Sequence, residues 1–75
     1  MLPLASASAG DKVYVKRVSG KDEIKKHLSN LGFVEGAVVN VISAHNGDLI
    51  LNVKDSRLAL TKEMTEKIMI EFVSR

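Results

Sequence analysis

The sequence predicts a mainly β domain, with five short strands curled into a small closed or nearly closed barrel and a helix inserted after the first strand. Three observations carry this expectation. Runs rich in Val, Ile and Leu recur at strand length, some alternating with polar residues and one apolar on both faces. A helical stripe of Ile24, Leu28 and Leu31 is followed at once by Gly32, which can take the left-handed conformation that ends a helix. Asn46-Gly47 lies between two β-rich runs, a strong hairpin signal because both residues accept positive φ. A chain of 75 residues is too short for two layered sheets. Curling one antiparallel sheet protects its edges and encloses a core.

Each element has a local reason. Residues 11–18 form the first strand, with Val13 and Val15 on one face and Tyr14 and Lys16 on the other. Ser19 followed by Asp22 approximates a capping box, and the helix runs over 22–31 with Lys25, Lys26 and Ser29 facing out. Residues 37–45 form a strand that is apolar on both faces at Val38, Val39, Val41 and Ile42, and therefore central. The return strand covers 49–54, Asp55-Ser56 turns, and 57–60 is a short third partner. Thr61 is the expected N-cap of a second helix over 61–67, and 68–73 closes the chain as a strand. Residues 1–9 and 74–75 are the segments expected to be loose. The expected core is Val13, Val15, Ile24, Leu28, Leu31, Val39, Val41, Leu51, Val53, Leu60, Ile68 and Ile70.

Composition narrows the function. Without cysteine there is no disulfide, thiolate metal site or cysteine nucleophile, which suits a reducing cytoplasm. Eleven basic against nine acidic residues give a net charge of +2, too small to demand an anionic partner. Ala5-Ser6-Ala7-Ser8-Ala9 has the small residues of a cleavage region, yet no basic residue precedes it and Leu2-Pro3-Leu4 is too short for a signal core. No run reaches the roughly twenty apolar residues of a membrane span. A soluble monomer that does not insert into the membrane is expected.

Catalysis finds no support. His27 and His45 lie on different elements without triad or Glu-x-x-His spacing, and no glycine-rich loop leads into Lys-Ser or Lys-Thr. No cofactor or metal site is expected, because His27, His45, Asp48 and Asp55 offer nitrogen and oxygen ligands without local ligand spacing. Gly10-Asp11-Lys12-Val13-Tyr14-Val15 resembles the opening of KOW-type barrels, small RNA-binding modules. In that alternative Lys12, Lys16, Arg17, Lys21, Lys25 and Lys26 would contact phosphates. Asp11, Asp22 and Glu23 interrupt the basic run and aromatics are scarce, so nucleic acid is the second choice. A protein-binding module remains. Its candidate contact residues are Leu31, Phe33, Val34 and Glu35, at a corner where two glycines would push apolar side chains outward. The competing role for Phe33 is to plug one end of the barrel.

The order Leu31-Gly32-Phe33-Val34-Glu35-Gly36, then Gly47-Asp48-Leu49, with Gly10-Asp11 before the first strand and Leu58-Ala59-Leu60 before the last helix, resembles the ferrous iron transport protein A (FeoA) family over residues 4–70. Glu35 stands where the family has proline, Leu49 replaces the proline of its glycine-aspartate-proline turn, and Met64 stands where alanine is common. The resemblance implies an SH3-like β-barrel. It also implies a non-catalytic cytoplasmic accessory role in bacterial ferrous iron uptake, exercised by binding FeoB, a membrane transporter with a GTP-binding domain.

Overall fold

Alternation along each strand divides the side chains between one interior and one solvent face, and the computed structural model, which describes residues 1–73, shows a single curled sheet built on that division. The strands are β1 (Leu2–Pro3), β2 (Lys12–Val18), β3 (Val38–His45), β4 (Asp48–Val53), β5 (Ser56–Leu60) and β6 (Ile68–Phe72). Helix α1 (Asp22–Asn30) follows β2, and α2 (Lys62–Thr65) follows β5. All pairings are antiparallel, in the order β1-β6-β2-β3-β4-β5. The fold class is as expected, with one qualification. The sheet is not closed by strand pairing; a 3-10 turn at Leu4–Ser6 packs against α2 and β6 instead.

Val13, Val15, Val39, Val41, Leu51, Val53, Leu60, Ile68, Ile70 and Leu28 form the buried core, as the alternation requires. Ile24 and Leu31, expected inside, are only partly buried against it. Leu4, Ala7, Phe33, Leu49 and Thr65 are buried beyond the expected set. Within residues 1–9, Leu2 and Pro3 pair with Ile70 and Met69, and Leu4 is fully enclosed. One leucine seated in the core outweighs a segment otherwise made of small, weakly structured residues. Residues 74–75 lie outside the described residues.

Three local expectations are corrected. The capping box before α1 does not form; Lys21 is the N-cap residue and no side chain caps it. Ser19 instead donates through Oγ to the Lys67 carbonyl at 3.1 Å, tying the end of β2 to the start of β6. The β4–β5 turn comprises Lys54-Asp55, because Val53 pairs with Ser56, and Lys54 takes φ 54°. Helix α2 is shorter than expected and its N-cap Thr61 makes no side-chain cap bond. β3 is interior in the sheet order, yet Val38 and Ile42 on its outer face are exposed, since no layer covers that side.

Candidate functional site

The corner after α1 is built by two glycine-dependent turns. Gly32, at φ 107°, follows the C-cap Leu31. Its N–H donates to the Ser29 carbonyl at 3.0 Å, and the Phe33 N–H donates to the Leu28 carbonyl at 3.0 Å. These two bonds define a Schellman motif, and its accompanying apolar contact is supplied by Leu28 and Phe33, both in the core. The chain then turns again. The Ala37 N–H donates to the Val34 carbonyl at 2.9 Å with Gly36 at φ 87°, the signature of a type II turn with Glu35 at its first central position. The Gly36 N–H donates to the Val15 carbonyl at 2.7 Å, fastening this second turn to β2.

This geometry divides the four sequence-predicted contact residues. Phe33 is 1% exposed and plugs the barrel, so it presents nothing to a partner. The reason is the Schellman motif, whose residue after the glycine is directed back onto the helix it terminates. Leu31 is partly buried against the core. Val34, at 42% exposure, and Glu35 do face outward.

At the opposite corner, Asn46 and Gly47 take φ 51° and 88° between His45 and Asp48, which pair across the β3–β4 hairpin. The hairpin is clamped to α2 by two side chains. The Lys62 N–H donates to Asp48 Oδ1 at 2.7 Å, so Asp48 caps α2 from a distance. Thr65, fully buried, donates through Oγ1 to the Gly47 carbonyl at 2.7 Å and also lies 3.2 Å from the Lys62 carbonyl. Sequence reasoning placed Asp48 among metal-ligand candidates and missed this cap. An aspartate after Asn-Gly reads as an ordinary turn residue, and its partner lies fourteen positions away. Beside the clamp is a shallow open groove of about 390 Å³ whose lining includes Ser43, His45, Ile50, Ala59 and Thr61.

The remaining titratable candidates stay dispersed. His27 is exposed on α1, His45 and Asp48 belong to the hairpin, and Asp55 to the next turn. Among the described residues no three His, Cys, Asp or Glu side chains gather as a metal site requires. Among them, too, no helix is long and apolar enough to cross a membrane.

Known proteins share this fold and much of this sequence. The FeoA domain family matches residues 2–72. This chain belongs to the FeoA family. A protein of Methanocaldococcus jannaschii, provisionally named Fe(2+) transport protein A, is 34% identical over 71 residues, covering 95% of this chain and 87% of that protein. The crystal structure of an iron uptake regulatory protein (FeoA) superposes with a TM-score of 0.90 at 27% identity, covering 96% of this chain and 97% of the other. Stenotrophomonas maltophilia FeoA, solved with zinc and described as an SH3 domain protein, gives a TM-score of 0.80 at 23% identity, over 95% and 91% of the two chains. That last likeness concerns the fold alone. Within the FeoA frame Glu35 gains an explanation, since the first central position of a type II turn is one that proline favours and other residues tolerate. The family consists of accessory transport proteins and is not known for enzymes.

Proposed function

We propose that this protein is a non-catalytic, cytoplasmic accessory factor of ferrous iron uptake that acts by binding a FeoB-like membrane transporter. Membership of the FeoA family over residues 2–72 carries this reading. The M. jannaschii relative is named for Fe(2+) transport, which supports it. The sequence has no phosphate-binding loop and no nucleophile–base spacing, so the contribution to transport is made by contact rather than chemistry. Exposed Val34 and Glu35 at the α1–β3 corner belong to the contact surface. In this reading iron is the transporter's cargo, and no resident metal of this chain is invoked.

The test is ferrous uptake in cells carrying the transporter with and without this protein, beside direct titration of the purified protein against the transporter's cytoplasmic domain. Binding in the titration and loss of uptake on deletion are expected. Unchanged uptake together with no detectable association would overturn the proposal.

A further inference from the structure

Strand register places four polar side chains in one line across the solvent face. Lys12 of β2 pairs with Asn40 of β3, Asn40 with Asn52 of β4, and Asn52 with Arg57 of β5. Their strand neighbours Val13, Val39 and Val53 are buried, so alternation turns the row outward. Adjacent strands lie about 4.8 Å apart, which sets the two cations roughly 14 Å from each other with two carboxamides between them. Among the described residues, neither Lys12 nor Arg57 forms an ion pair, and neither asparagine side chain has a hydrogen-bond partner. No acidic residue belongs to the row. Apolar side chains flank it on both sides: Val38, 43% exposed, opposite Tyr14, and on the other side Ile42 at the β3 irregularity and Ile50 opposite Ala59, 38% and 41% exposed.

We propose that this face, gripped by Lys12, Asn40, Asn52 and Arg57, docks an acidic, amphipathic, extended segment of a protein partner; the inference rests on the protein-binding reading above and assigns its principal surface. Charge complementarity selects the occupant. Two carboxylates roughly 14 Å apart, the span of about four residues of extended chain, satisfy the terminal cations and lie on the same side of that chain. The central carboxamides each offer a donor and an acceptor, the pattern that pairs with a peptide backbone. Flanking Val38, Ile42 and Ile50 then exclude water from the polar contacts. A nucleic acid is a poorer fit, because two cations neutralise few phosphates and Tyr14 is the one aromatic on this row's flank.

The experiment is amide-resolved NMR titration of the full chain with the cytoplasmic domain of the FeoB-like transporter and, in parallel, with oligouridine RNA. Amides of Lys12, Asn40, Ile42, Ile50, Asn52 and Arg57 should shift with the transporter domain. Lys12→Glu combined with Arg57→Glu should weaken binding by about tenfold or more, and high salt should shrink that difference. The variant's thermal midpoint reports its folding, and Asn40→Asp with Asn52→Asp repeats the charge test where the first variant is unstable. Shifts confined to the 31–36 corner or to α1 would overturn the assigned face while leaving the protein-binding reading intact. Absence of any binding by the unaltered chain would overturn both. RNA moving the row when the transporter domain does not would replace the protein occupant with a nucleic acid.

Discussion

Replacing Thr65 with Val removes one hydroxyl and almost none of the side chain's volume. In the native fold that hydroxyl is buried and donates to the Gly47 carbonyl at 2.7 Å, joining α2 to the hairpin turn. Losing a net hydrogen bond costs about 0.5–1.5 kcal/mol, and a carbonyl left dry adds about 1–3 kcal/mol. The Gly47 site is only partly buried, so water recovers much of the second term. Valine's added apolar surface offsets roughly another 0.8 kcal/mol, near the value of one buried methylene. The expected loss is about 1–2 kcal/mol. For a domain of this size each kcal/mol lowers the melting temperature by about 4–8 °C. Urea unfolding followed by circular dichroism measures the change, and amide exchange locates it, with Lys62 to Lys67 exchanging faster than the strands. Thr65→Ser keeps the donor and loses only a methyl, so it should destabilise without selectively loosening α2. A Thr65→Val protein within about 0.3 kcal/mol of the unaltered one, with unchanged exchange in α2, would refute the clamp.

Four further outcomes are expected. Phe33→Asp should unfold the domain, since a carboxylate has no partner in the enclosed core; a folded variant that only loses partner binding would contradict the plug. Gly32→Val should destabilise in chemical denaturation, because φ 107° strains a β-branched residue and a Cβ there would lie 3.3 Å from Val53 Cγ2. Glu35→Pro should raise stability by about 0.4–1 kcal/mol by restricting the unfolded chain at a proline-compatible turn position, and a lowered melting temperature would refute the turn assignment. Asp48→Ala should lower stability by about 1 kcal/mol through loss of the α2 cap, and an unchanged urea midpoint would show that the Lys62 N–H finds water equally well.

Most of the strand framework was legible because each signal was local. Alternation at Val13 and Val15 or Leu51 and Val53 needs no knowledge of distant residues, and Asn46-Gly47 prescribes its own hairpin. What escaped depends on long separations. Thr61 reads as a cap, but the bond comes from Asp48 on another element. Leu2 to Leu4 looks unstructured until β6, more than sixty positions later, provides the surface that receives it. The corner was legible in its turns and not in its directions. Gly32 and Gly36 announce two reversals, but whether Phe33 or Val34 points inward follows from hydrogen-bond geometry that composition does not encode. The row across the outer face was invisible for the same reason, since Lys12, Asn40, Asn52 and Arg57 become neighbours only once the register is known.

The pairing of β1 with β6 has a mechanical consequence. Leu2 sits opposite Ile70 and Pro3 opposite Met69, with the strands running antiparallel. A pull on the amino end against the carboxyl end therefore loads these bonds one after another, as in opening a zipper, rather than shearing them together. β1 peels away first and draws Leu4 out of the core, while the β2–β3–β4–β5 framework still holds its shape. Tension between the two ends thus has a weak point at the first strand.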